Sequence, residues 1–191
     1  MYFRAEALRS LPSTPMNTAL PFHLAAASWS VFASSLQSTH QDTKVAKAVA
    51  SGNIVPAPSF RLSRLGGGAP VALGAYRGKA VVVNFWASDC IPCKKEMPRL
   101  QAASKRWMHH PVAVVGVDVL DSRAAARDFA RSHGVTYAIG VDPLGDIASR
   151  YGVAYTPTTF FVDRRGRIVK RILGPVSDSE LDAQIERALS T

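Results

Sequence analysis

Cys90 and Cys93 are the only two cysteines among 191 residues, and they stand in the segment WASDCIPCKKEMP. Thiols at this spacing can exchange disulfides, hold a soft metal ion or form an inert crosslink. Zinc requires two more ligands, and His109 and His110 stand a whole helix away. A crosslink around so small a loop removes little freedom from the unfolded chain. Exchange asks for one nucleophilic thiolate with a second thiol close behind it. The flanking sequence supplies both. Ala80–Trp86 (AVVVNFW) is a near-continuous apolar run of strand length, as in a strand buried on both faces. Pro92 sits where the first turn of a helix tolerates proline. Cys90 therefore falls at a helix N-terminus, where unsatisfied N–H groups and the positive dipole end favour an anion. A thiol so placed titrates below its free value of ~8.5. Cys93, one turn further in, is positioned to resolve a mixed disulfide formed at Cys90.

The elements around the pair follow from periodicity. Met97, Leu100, Ala103 and Trp107 continue at helical spacing, so the helix is expected to run to about Trp107. Val112–Val119 (VAVVGVDV) is a second buried strand, which makes a parallel, right-handed strand–helix–strand unit. Ser122–Ser132 reads as a helix capped by Asp121 or Ser122. Ala138–Val141 reads as a short strand, and Asp146–Tyr151 as a short helix. Thr158–Val162 and Arg167–Leu173 form an antiparallel hairpin around Asp163–Gly166. Ser177 with Glu180 is a capping-box pattern opening a last helix to about Leu189. Upstream, Phe60–Leu62 and Val71–Leu73 flank a glycine loop and read as an N-terminal hairpin. The expected fold is α/β and thioredoxin-like: a central mixed sheet flanked by helices, with that hairpin as an extension.

The N-terminal part reads differently. No Asp, Glu, Lys or Arg lies between Ser10 and Gln41, while Arg4 and Arg9 precede the gap. Ala19–Ala33 is mostly apolar, with small residues at two candidate cleavage points. Residues 1–33 are therefore expected to be a signal peptide or weak membrane anchor, with an upstream tail as the alternative. Residues 34–55 are polar and small and read as a linker, with a short helix over Gln41–Ala50 as an option; 56–191 is the expected domain. The chain carries 23 Lys and Arg against 14 Asp and Glu, a net charge of +9. This favours acidic partners or anionic surfaces. Nucleic acid is not expected as a partner, because no aromatic-rich single-strand platform accompanies the basic residues 164–171.

Several motifs in order make the region from Pro56 onward resemble the TlpA/ResA-like thiol-disulfide oxidoreductases of the thioredoxin superfamily. They are Pro56–Leu62, Tyr76–Lys79, Asn84–Ser88, Cys90–Pro98, Tyr151–Val153, Thr156–Phe160 and Asp163–Ile168. The resemblance implies catalytic roles for Cys90, Cys93, the cis-proline Pro157 and Glu96. Glu96 has a second reading, as a solvated helix carboxylate. The resemblance also implies client contacts at Trp86, Asp89, Ile91, Pro92 and Thr156, whose backbone would pair with an extended substrate chain. Asn84 stands where thioredoxin carries a buried Asp. Asp89 stands where the family usually has Trp; it disfavours a neighbouring thiolate, or else caps the helix.

The implied function is disulfide exchange with protein clients, as an extracytoplasmic reductant of the cytochrome c maturation type. A membrane thiol donor would recharge it, and no cofactor and no metal are expected. The N-terminus would provide any membrane association. Two alternatives stand beside this: a peroxiredoxin-like peroxidase, and a Cu(I) metallochaperone with Cys90 and Cys93 as soft ligands.

Overall fold

The computed structural model describes residues 47–48 and 51–191. The expected leader and all of the linker except residues 47–48 and 51–55 lie outside the described residues, and of the optional helix only Lys47 and Ala48 are described, as helical. Among the described residues, no helix is long and apolar enough to cross a membrane.

The strands are β1 (Val55–Pro56), β2 (Arg61–Arg64), β3 (Val71–Ala72), β4 (Ala80–Trp86), β5 (Val112–Val119), β6 (Ala138–Asp142), β7 (Thr158–Val162) and β8 (Arg167–Leu173). The helices are α1 (Ile91–Arg106), α2 (Arg123–Ser132), α3 (Asp146–Arg150) and α4 (Asp178–Ser190), with a 3-10 turn over Leu73–Tyr76. They build one mixed sheet in the order β1-β8-β7-β4-β5-β6-β2-β3. β4, β5 and β6 run parallel, while β7 pairs antiparallel with β4, and β2 antiparallel with β6. This is the thioredoxin-like arrangement expected from the sequence.

The central strand β4 is buried at every position, which is why it lacks polar alternation. Its Val81, Val83 and Phe85 pack on one face with Phe160 of β7 and with Ala148 and Tyr151 around α3. Ala80 and Val82 meet Leu100 and Ala103 of α1 and Leu181 and Ile185 of α4 on the other. Trp86 completes that second face, stacked on Phe129 of α2 with ring centroids 5.0 Å apart. The helices stop and start where their ends demand it. Ser122 and Ser177 each accept a backbone N–H from three residues on, Ala125 and Glu180 respectively.

Pro56–Leu62, which resembles the family's opening strand, is not one strand: β1 is a two-residue contact with β8, and β2 begins only at Arg61. Pro56 and Pro58 lack the N–H groups that a continuous ladder needs. The hairpin of β2 and β3 then covers the edge of β6. Leu62 lies directly on Gly140, where any Cβ would fall within 2.8 Å of the Leu62 Cβ.

Candidate active site

β4 ends at Trp86, and the chain turns through Ala87–Asp89 into Cys90, the N-cap of α1. The Cys90 sulfur accepts the N–H of Cys93 at 3.2 Å, one of the donors that the first helical turn leaves unsatisfied. Pro92 fits the same turn, because its position has no intrahelical acceptor to donate to. Cys90 and Cys93 are joined by a disulfide with their Cα atoms 5.3 Å apart. Both cysteines are covered, at 9% and 1% exposure, and Cys90 is the outer one.

Two expectations are corrected here. Asp89 does not cap the helix: the cap is the Cys90 sulfur, and the Asp89 carboxylate is exposed. Trp86 offers no surface to a client, since its side chain is completely buried between the sheet and α2. A strand apolar on both faces buries its last residue as well as its middle. Ile91, Pro92 and Asp89 do reach solvent beside Cys90.

Glu96, one turn beyond Cys93, is not a solvated carboxylate. It is 1% exposed and is held by three donors. Asn84 Nδ2 on β4 and the Val176 N–H each donate at 3.0 Å, and Thr159 Oγ1 on β7 donates at 3.5 Å. Burial raises its pKa above the ordinary carboxylate value, while these hydrogen bonds and the Arg99 charge hold it part of the way down. Glu96 thus ties the active-site helix to two strands and to the segment entering α4. Asn84 also donates to Thr159 at 2.9 Å, so the residue replacing thioredoxin's Asp is a structural donor.

The Thr156–Pro157 peptide bond is cis. Thr156 lines one groove of about 480 Å³ with Ala87 and Asp89, the loop residues just ahead of Cys90. The fold therefore brings the α3–β7 loop against the active-site loop.

Three acids that are far apart in the sequence, Asp118, Asp121 and Asp142, have related roles beside the site. Asp121 accepts from the Ser88 N–H at 2.6 Å and from its hydroxyl at 2.8 Å, pinning the loop just ahead of Cys90. Asp142 accepts from the N–H groups of Ile147 and Ala148 and so caps α3. Asp118, in register with Trp86, is wholly buried, and neither carboxylate oxygen has a donor. Its neighbour is Asp121, and two acceptors make a hydrogen bond only if one of them carries a proton. Desolvation first, then the contact with Asp121 and the charges of Asp121 and Asp142, push the Asp118 pKa up to about 8, with Arg123 opposing. The available signal was a single Asp inside the otherwise apolar VAVVGVDV.

This proton has a measurable consequence. Asp118 keeps it in the folded state up to a pH of about 8. The unfolded chain releases it near pH ~4. The folded state binds the extra proton between those limits, so the contribution is complete below the lower one and is lost as pH rises through the upper one. Asp118→Asn, isosteric and neutral, will gain on wild type in urea denaturation by about 1.4 kcal/mol for each pH unit between pH ~5 and pH ~8, about 4 kcal/mol over that range. A difference independent of pH would show that Asp118 stays ionised.

Comparison with known proteins agrees with this arrangement. Residues 55–171 match the AhpC/TSA family. The chain belongs to that family. Within it, the thiol-disulfide oxidoreductase ResA of Geobacillus thermodenitrificans is 34% identical over 139 residues, covering 73% of this chain and 78% of ResA. A solved structure described as a putative thiol:disulfide interchange protein DsbE from Chlorobium tepidum superposes with a TM-score of 0.65 at 29% identity, covering 70% of this chain and 95% of its own. A secreted thiol-disulfide isomerase from Corynebacterium glutamicum gives a TM-score of 0.65 at 25% identity, covering 70% and 85%. This AhpC/TSA member is a thiol-disulfide oxidoreductase of the ResA and DsbE type, with Cys90 and Cys93 as its cysteine pair.

Proposed function

We propose that the protein reduces cysteines of extracytoplasmic clients, with apocytochrome c as the client type that the resemblance implies. The observation that carries this reading is the Cys90 sulfur at the N-cap of α1, in contact with the Cys93 N–H. The same N–H stabilises the sulfur when it is a thiolate.

The reduced enzyme presents Cys90 as the thiolate. It attacks one sulfur of a client disulfide, a Cys90–client bond forms, and the displaced client thiolate takes up a proton. The Cys93 thiolate then attacks the Cys90 sulfur and releases the second client thiol. Two electrons have passed to the client, and the enzyme is left as the Cys90–Cys93 disulfide. A dithiol donor at the membrane returns the electrons. Glu96, buried one turn below, is the group suited to exchanging a proton with the Cys93 side of the pair. The backbone of Thr156 lies beside the groove, where an extended client can pair with it. Export rests on the charge-free stretch after Arg4 and Arg9 and on the secreted Corynebacterium relative.

The test is the reduction potential of the Cys90–Cys93 pair in glutathione or dithiothreitol buffers. A reductant is expected toward the low end of the dithiol range, near ~−270 mV; a value near ~−120 mV would make the protein an oxidant. A fusion of residues 1–40 to a reporter active only outside the cytoplasm is expected to give signal, and a silent reporter would remove the location.

A further inference from the structure

The groove that reaches Asp89, the residue before Cys90, is walled by the turn after β5, the start and middle of α3, the α3–β7 loop and the active-site loop. Three of the seven exposed large apolar side chains among the described residues stand on its rim: Leu120 at 70%, Leu144 at 78% and Tyr155 at 54% exposure. Leu120 is the most telling. Its φ is +59°, the left-handed region that L side chains enter at a cost, and it is the one non-glycine there among the described residues. Burial does not repay that cost, since most of the side chain is in water. The backbone around it is fixed, with the Leu120 N–H donating to the Asp142 carbonyl at 3.1 Å. Its side chain rests against Gly145, where a Cβ would lie 3.4 Å from Leu120 Cδ2. A strained, exposed leucine held in place at the edge of a reactive site points to use of that surface.

The charge of the groove is equally specific. Asp89 and Asp121 line it, and neither lysine nor arginine does. Asp121 is engaged by Ser88, whereas no lysine or arginine among the described residues pairs with Asp89. An unpaired, exposed carboxylate thus stands one residue before the reacting cysteine in a protein whose net charge is +9.

We propose that this groove selects extended client segments with an aliphatic side chain for the Leu120–Leu144–Tyr155 rim and a lysine or arginine beside the reacting cysteine, facing Asp89. The proposal rests on the disulfide-exchange reading above. Asp89 and Leu120 are the specificity-determining residues: one reads charge and the other apolar surface.

The experiment uses the full chain, reduced with dithiothreitol, and four synthetic disulfide peptides. They carry Leu or Ser at the position for the rim, crossed with Lys or Glu beside the cysteine. Bis(2-hydroxyethyl) disulfide serves as a substrate without flanks. Wild type is expected to favour Lys over Glu in kcat/KM by about fivefold. It is expected to favour Leu over Ser by about tenfold. Asp89→Lys inverts the charge preference. Because the readout is a ratio between peptides on one enzyme, any change in Cys90 reactivity cancels. Leu120→Gly erases most of the Leu preference through KM, while its melting temperature does not fall, because glycine relieves the left-handed backbone. Wild-type ratios within twofold, or a charge ratio unmoved by Asp89→Lys, overturn the proposal while turnover of the small disulfide leaves the exchange reading standing. No turnover of any disulfide overturns both.

Discussion

Cys93→Ser will convert client disulfides into a stable mixed disulfide through Cys90 and will complete no turnover. The outer sulfur can still attack, because it remains at the N-cap with the donors of the first turn, and serine cannot carry out the second displacement. Cys90→Ser leaves Cys93 as the only thiol. At 1% exposure it cannot approach a client in line, so neither adduct nor turnover is expected. Non-reducing electrophoresis followed by peptide mass mapping reads both results. An adduct carried by Cys93 in the Cys90→Ser protein would reverse the assigned roles. The effect is all or nothing, since each cysteine performs a step that the other cannot.

The second large effect falls on stability. Glu96→Leu removes the acceptor shared by Asn84 Nδ2 and the Val176 N–H, both inside the fold. Each buried donor left without a partner costs about 1–3 kcal/mol. The added apolar packing recovers part of that, so a net loss of about 3 kcal/mol is expected in chemical denaturation. Glu96→Gln should lose only about 1 kcal/mol. It keeps one acceptor oxygen, and the Asn84 Oδ1, which has no partner, can accept from the new amide once the Asn84 side chain flips. If leucine and glutamine cost the same, the hydrogen bonds are not what Glu96 contributes. A leucine variant as stable as wild type would show the same.

These residues also mark the boundary of what the sequence could disclose. β4 and β5 are legible because a strand buried on both faces must be apolar throughout, and their observed limits are those of the apolar runs. The caps at Ser122 and Ser177 are legible because they act within three residues. The hydrogen bond between Asn84 and Thr159 spans 75 residues and exists only because β7 inserts beside β4. No local pattern announces it. Asp121 looked like a helix cap, yet its carboxylate turns back to Ser88, 33 residues earlier, and leaves the cap to Ser122. Asp89 looked able to cap its helix too, but a polarisable sulfur at Cys90 already occupied that role. The groove was invisible for a plainer reason: its walls come from four segments that meet only once the sheet order is known.

The double hydrogen bond from Ser88 to Asp121 has a reach beyond the loop it holds. Cys90 lies two residues after Ser88, and Leu120 lies immediately before Asp121, so one short bonded bridge sets the separation between reactive sulfur and apolar rim. For a client lying extended in the groove, side chains alternate sides and advance ~3.3 Å per residue. A fixed separation therefore acts as a ruler. It admits an aliphatic residue only at a set count from the client cysteine, and a shift of one position turns that side chain away from the enzyme. If clients bind the groove as proposed, they are sorted by the phase of their sequence as well as by its composition.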